Sequence, residues 1–441
     1  MSEPTANDLH ALLRRLYPIT RSITGDGVRQ TLSIINEIAD FKVHEYPSGT
    51  EIFDWKIPDE WNIRGGYIAD PSGRHVVDFK QNGLHVMGYS EPVDVTLPFS
   101  ELRPHLHTLP DLPEAIPYRT SYYRRNWGFC LSQRQLDSMD PTLTYHVVID
   151  AELAAGHLTL GESLIAGSSG SEFLISTYCC HPWMANDNLS GVIVTAHLQK
   201  WLASEPRRHS YRILMLPETI GAICYLAHNQ HEMQNVDGGF VVSCCAGRGR
   251  FSIKPSFTNN SLVDRAAMLA FRDRNIDPWI RPFAPDGSDE RQYSMPAFRI
   301  PVCTISKDKY YDYSFYHTSL DDPEFVTGEN LLAALELYKD AIEFLEANHI
   351  YVSTMPYCEP QLGKRGLYPT TGGAVQQSTN NGGKSLIDIE IDALTWVMFL
   401  ADGSMDLITM AERSGQPFRN LVYAATRLSQ EGLLTIKDTS N

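Results

Sequence analysis

His181, Asp187, Glu218 and His317 are the side chains of this sequence best suited to chemistry. Two imidazoles and one carboxylate are a common donor set for Zn²⁺, and a hydrolytic zinc keeps about three protein ligands and one position for water. A carboxylate outside that set can take a proton from the water and hand it to a leaving group. His181, Asp187 and His317 are therefore the expected ligands, and Glu218 the expected general base. The polar loop Asp286-Gly287-Ser288-Asp289-Glu290-Arg291-Gln292-Tyr293 adds Asp289 and Arg291, as pocket-lining residues or supports for the ligands. An arginine there could grip a carboxylate or carbonyl of a substrate. Tyr316, next to His317, joins them.

Each of these groups needs an element to carry it. Phe173–Tyr178 reads as a buried strand running into His181, and Asp187 stands just before an apolar-periodic segment, Leu189–Leu202, that reads as a helix. Leu214-Met215-Leu216-Pro217 places Glu218 at the end of a second strand, with the helix Ile220–Asn229 after it. His317 follows a strand-like run and a tyrosine-rich loop. Open α/β folds put their ligands at the carboxyl ends of such strands. Further strands are expected at Thr144–Ile149, Tyr211–Leu216, Gly239–Ser243 and Ile300–Ile305, and further helices at Leu262–Asp273 and Glu329–Ala347. That alternation predicts a mixed, mostly parallel sheet with helices on both faces.

The flanking segments read differently. Residues 8–40 carry a helical pattern broken by Pro18 and Gly25-Asp26-Gly27. Residues 60–140 hold short alternating stretches separated by prolines, the pattern of a small all-β module. Residues 350–384 are loop-rich, with Gly372-Gly373 and Gly382-Gly383. Helices at Ile387–Leu400, Met405–Ala411 and Pro417–Leu428, then a strand at Leu433–Ile436, suggest a winged helix. The expected organisation is a catalytic domain over 1–55 and 140–350, an inserted β domain over 56–139, a linker over 351–384 and a winged-helix module over 385–441.

A chain of 441 residues exceeds one typical domain. Its 43% apolar and 20% charged residues suit a soluble globular enzyme. A net charge of −16 argues against nucleic acid or an anionic membrane as partner. The first eight residues lack the basic start and apolar run of a secretory signal, and no stretch approaches the ~18 apolar residues of a membrane helix. The eight cysteines have neither disulfide nor zinc-finger spacing and read as buried, reduced thiols. A cytoplasmic protein is expected. From Lys384 onward there are five Lys and Arg against eight Asp and Glu, and the candidate recognition helix has only Arg419 and Arg427. A DNA reader would show a basic face, so packing or self-association is expected of this module, in a homo-oligomer.

Ala185-Asn186-Asp187-Asn188-Leu189-Ser190-Gly191, the strand-ending Pro217-Glu218, and Tyr316-His317-Thr318-Ser319-Leu320-Asp321, in that order, resemble the zinc-dependent aminopeptidase and glutaminyl cyclase superfamily. The segment Arg21–Arg29 is similar to that superfamily's first helix. Trp127-Gly128-Phe129-Cys130, Gly287–Tyr293 and Glu359–Tyr368 look like a bacterial aminopeptidase-like branch with an inserted β domain and a C-terminal winged helix. The resemblance implies a phosphorylase/hydrolase-like α/β fold and zinc-dependent hydrolysis of peptide or small-molecule amide bonds. It also exposes departures. The parent enzymes hold two zinc ions through a His-x-Asp turn, a Glu-Glu pair and a strand-end aspartate. Here the turn is His181-Pro182-Trp183, the pair is Glu218-Thr219, and the strand ends at Ser243-Cys244-Cys245. Gly221 aligns Glu218 with the base and Thr219 with the lost ligand. Each zinc position has lost a carboxylate, so the expectation is one Zn²⁺ on His181, Asp187 and His317, without the two-metal clamp on a substrate amine and carbonyl. Acyl transfer or cyclisation is the alternative chemistry. A non-catalytic scaffold is the alternative class, and retention of both histidines, Asp187 and Glu218 speaks against it.

Overall fold

The computed structural model describes residues 3–368 and 386–437. Gly372-Gly373 and Gly382-Gly383 of the expected linker lie outside the described residues. The chain divides into two compact units, Met1–Asp264 with Pro278–Tyr338, and Arg265–Asp277 with Lys339–Asn441.

The first unit is built on an eight-stranded sheet of β1 (Lys42–Pro47), β2 (His157–Ile165), β3 (Glu172–Tyr178), β4 (Ser210–Leu216), β5 (Gly238–Val241), β6 (Phe251–Lys254), β7 (Trp279–Ile280) and β8 (Val302–Lys307). Their order across the sheet is β1-β2-β4-β3-β5-β8-β6-β7. The centre, β4-β3-β5-β8, is parallel. Strand β2 runs antiparallel to β1 and β4 on one side, and β6 antiparallel to β8 on the other. From Phe173 through Tyr178 every residue of β3 is buried, and so is every residue of β4 from Tyr211 through Leu216. Unbroken burial of this kind marks strands covered on both faces. The helix Gly191–Leu202 is buried from Gly191 to Gln199, so it is covered around its whole circumference rather than along one stripe.

Thr144–Ile149 does not belong to this sheet. It begins a longer strand, Thr144–Ala154, in a four-stranded antiparallel sheet ordered His75–Asp78, Glu60–Ala69, Thr144–Ala154, Val93–Pro98. Tyr145, Val147, Ile149 and Ala151 are buried, while Thr144, His146, Val148 and Asp150 are not. Alternation of that kind marks a sheet with one wet face. The place expected for it in the large sheet is taken by β2, next to β4.

The second unit has a three-stranded antiparallel sheet ordered Asp402–Asp406, Ile350–Ser353, Leu434–Ile436. It carries the helices Leu386–Leu400, Leu407–Ser414 and Phe418–Gln430. Ile350–Ser353, expected as loop, is its central strand. The second helix starts two residues later than expected because Met405 and Asp406 finish a strand and Asp406 caps the helix, accepting from Thr409 N at 2.7 Å. Arg274 and Arg419 both pair with the buried Asp340 of this unit. No helix among the described residues is long and apolar enough to cross a membrane.

Candidate active site

His181, Glu218 and His317 follow the carboxyl ends of β3, β4 and β8, and Asp187 lies on the turn between β3 and the helix Gly191–Leu202. That turn is pinned from three sides. Asn188 Nδ2 donates to Tyr178 O (2.9 Å) and Thr177 Oγ1 (3.0 Å), and Asn188 Oδ1 accepts from Cys244 N (3.1 Å). Asn186 Oδ1 accepts from Ala246 N (2.9 Å), while Asn186 Nδ2 donates to Asp308 O (3.0 Å). Ser190 Oγ accepts from Cys245 N at 3.1 Å. Gly191 lets the helix approach β5: a Cβ there would lie 2.3 Å from Val242 O. The Asn186-Asp187-Asn188-Leu189-Ser190-Gly191 run thus locks the ends of β3, β5 and β8 around Asp187.

Ligand atoms of His181, Asp187 and His317 all lie within 4.8 Å of one another. Nδ1 of His181 is 3.2 Å from Asp187 Oδ1, and Nε2 of His317 is 3.0 Å from Asp187 Oδ2. Asp187 is fully buried and His181 nearly so. Tyr178 donates its hydroxyl to Asp187 Oδ1 at 2.5 Å. Asp321, also buried, accepts from Asn186 N (2.6 Å), Asp187 N (2.9 Å) and the Tyr313 hydroxyl (2.9 Å). Arg21 donates Nε to His181 O at 2.9 Å from a buried position, which fixes the backbone at that ligand.

Electrostatics follow this geometry. Burial opposes a charge on His181, but Asp187 and Glu218 prevail and hold its pKa up at about 10. Burial likewise opposes ionisation of Asp187, yet the two imidazoles keep it well below the carboxylate range. Burial and the neighbouring Asp187 push Asp321 up to about 7, against the two backbone N–H groups that favour its charge.

Glu218 sits beside the trio, its Oε2 3.4 Å from His181 Nε2, with about a quarter of its side chain exposed. It is held by a strained turn in which Thr219 has φ of 63°. Asp289 Oδ1 accepts from Thr219 N at 2.7 Å, and Arg291 Nη2 donates to Thr219 Oγ1 at 3.3 Å. Both residues of the polar loop therefore reach the Glu218 turn. Burial, with Glu218 second, raises Asp289 well above its ordinary value. Tyr316 stacks on His317, ring centroids 3.9 Å apart.

Three contributors carried no expected role: Tyr178, Asp321 and Tyr118. Tyr118 comes from the segment between the strands Val93–Pro98 and Thr144–Ala154. Its N–H donates to His317 O at 2.8 Å, and its ring stands edge-on to His181 (5.3 Å between centroids) and His317 (5.1 Å). No local pattern announces it. Tyr178 and Asp321 stood inside the motifs already singled out, where a polar group buried beside a ligand was the available signal.

The sheet order and the strand-end site define an aminopeptidase-like α/β protein. The structure of BSAP, a zinc aminopeptidase from Bacillus subtilis, shares the fold with a TM-score of 0.55 and 13% identity over 78% of this chain and 95% of its own. A far nearer relative in Clostridium acetobutylicum, named "Putative polysaccharide biosynthesis protein with aminopeptidase-like domain", is 39% identical over 99% of this chain and 98% of its own length. The crystal structure of a "putative peptidase" from the same organism matches with a TM-score of 0.91 and 38% identity over 98% of this chain and 96% of that one. The family model described as "Domain of unknown function (DUF4910)" matches residues 10–348, and one described as "winged helix-turn-helix" matches residues 349–436. The chain belongs to the DUF4910 family and carries a winged helix-turn-helix module after it.

Proposed function

We propose that this protein hydrolyses an amide bond in a peptide or small molecule, with one Zn²⁺ on His181, Asp187 and His317 and with Glu218 as general base. The observation that carries the reading is the meeting of His181 and Asp187 with His317, remote from them in sequence, within 4.8 Å, with the Glu218 carboxylate beside them. The donor set suits a cation. Asp187 Oδ2 and His317 Nε2 are buried, 3.0 Å apart, and neither has a hydrogen-bond partner. Buried polar atoms left in that state want a further partner. Two imidazoles and a carboxylate are ligands zinc accepts. The described residues gather one such group, which suits one ion per chain.

Zinc bound there supplies a Lewis acid that polarises a carbonyl and acidifies water. The chain's own residues do the rest. Glu218 takes a proton as the water oxygen bonds to the carbonyl carbon, and returns it to the amide nitrogen as the C–N bond breaks. Asp289 and Arg291 hold the Thr219 turn and so aim Glu218. Tyr178 and Asp321 orient Asp187 through its side chain and its backbone. Tyr316 fixes the His317 ring by stacking.

The test combines zinc analysis with turnover of an amide panel in ¹⁸O-water. The panel holds aminoacyl anilides, N-acetylated amines and, prompted by the Clostridium relative's name, N-acylated sugars. About one zinc per chain and one solvent oxygen per released acid are expected. Glu218→Gln should keep the zinc and lose turnover. A wild-type protein that holds no zinc, or a Gln variant that still turns over, ends the reading. Release of amine without solvent oxygen would point to cyclisation.

A further inference from the structure

The hydrolase reading leaves Tyr118, which packs against the site, without a task. Its segment is fastened to the His317 loop at several points. Pro117 bridges to Thr318, Ile116 N donates to Ser319 Oγ (3.0 Å), Ser319 N donates to Ile116 O (2.9 Å), and Tyr118 N donates to His317 O. Motion of this segment relative to the His317 loop would break all of these bonds. The segment therefore presents a fixed side chain to the site.

The hydroxyl of that side chain has one partner, the Tyr122 hydroxyl at 2.5 Å. Two phenols carry two O–H protons, and a bond between them uses one. The second proton has no acceptor among the described residues. Tyr118 is buried, and an unpaired donor away from water is unfavourable. A tyrosine bonded through its hydroxyl to a second phenol thus packs its ring against both assigned histidine ligands.

We propose that Tyr118 is a catalytic residue that donates a hydrogen bond to the oxygen of the substrate's carbonyl as water adds to it, with Tyr122 as a positioning residue that holds the phenol. The proposal rests on the hydrolase reading of the same site. As the water oxygen bonds to the carbonyl carbon, the C=O π pair moves onto the carbonyl oxygen, which becomes an oxyanion. Glu218 takes the water's proton. The pair returns to re-form C=O when the C–N bond breaks, and the nitrogen receives the proton from Glu218. Tyr118 keeps its proton throughout and only shares it. Tyr122, donating to Tyr118, frees that proton for the oxyanion. One preorganised donor of this kind is worth roughly 10²–10³ in kcat.

The test uses the zinc-loaded full chain with two probes, phenylphosphonate as a tetrahedral anion and benzoate as a planar one. Tyr118→Phe keeps the ring and the N–H that binds His317. Calorimetry should show phenylphosphonate weakened by about tenfold or more, benzoate within about threefold and the zinc content unchanged. Tyr122→Phe should weaken phenylphosphonate by a smaller factor. On any amide that turns over, Tyr118→Phe should lower kcat about 100-fold while KM moves less than about threefold. The proposal is overturned if Tyr118→Phe binds phenylphosphonate as wild type does, if it loses zinc, or if zinc-loaded wild type does not bind phenylphosphonate. Failure of the wild type to take up zinc would instead remove the hydrolase reading beneath it.

Discussion

Replacing Tyr178 by Phe removes one oxygen and leaves a ring of the same shape in the same buried site. The hydroxyl donates to Asp187 Oδ1 at 2.5 Å, and Asp187 has no exposed surface. A hydrogen bond to a charged group contributes about 1.5–3 kcal/mol. Without it, Oδ1 keeps only His181 Nδ1 at 3.2 Å, and Oδ2 only the ion pair with His317 Nε2 at 3.0 Å. The carboxylate can then pivot away from the geometry a cation needs. Loss of such an orienting bond typically lowers metal affinity about 10–100-fold. That range is about 1.4–2.7 kcal/mol, close to the strength of the bond itself. Zinc affinity is read by competition with a chromophoric chelator at pH 7.5, and folding stability by denaturant unfolding with a chelator present. The variant should be folded, should bind zinc about 10–100-fold more weakly, and should lose about 2 kcal/mol of metal-free stability. An affinity within twofold of wild type would mean that Asp187 is not a ligand, or that Tyr178 does not orient it.

Two further outcomes follow from charge. Without metal His181 keeps its proton up to a pKa of about 10, because Asp187 and Glu218 outweigh the burial that opposes the charge. Zinc needs the neutral ring, so binding at pH 7.5 should release about one proton per ion, measured by calorimetry in buffers of different ionisation enthalpy. No release would remove His181 from the ligand set. In the helix Gly191–Leu202, burial and the charge of Lys200 hold His197 down at about 4. Its folded pKa is below the unfolded value, so the unfolded chain takes the proton first as pH falls. Stability is full above about pH 6.5 and is lost down to about pH 4; from pH 7 to 5 the loss is about 2 kcal/mol. Urea unfolding should show His197→Gln losing less stability than wild type over that interval, and equal losses would refute the assignment.

The site was legible to the extent that its residues end strands. Apolar runs closing on Cys179-Cys180-His181 and on Pro217-Glu218 mark where buried strands stop, and the structure has β3 and β4 there. Less was legible where strands are not continuous apolar runs. β2 holds Gly161 at its centre because Leu32 and Phe41 pack onto it, and a Cβ would lie 2.9 Å from Leu32 Cδ2. That glycine weakens the strand signal, so the apolar pattern alone points to Thr144–Ile149 for the large sheet instead. Its alternation of buried Tyr145, Val147 and Ile149 with less buried neighbours was visible in the sequence and belongs to a one-sided sheet. Ile350–Ser353 is too short and too close to a glycine-rich stretch to read as a central strand.

Residue chemistry is local. Imidazole, carboxylate and phenol carry their donor properties wherever the chain puts them, so the ligand types, the spare carboxylate and the strand-helix turns beside them could be read in order along the polypeptide. Distance between remote residues is not local. It depends on which strands neighbour each other and in what register, and that is decided by burial of faces that belong to different segments. Tertiary structure alone decided that β3, β4 and β8 bring His181, Glu218 and His317 to one edge, and that Tyr118 closes against both rings.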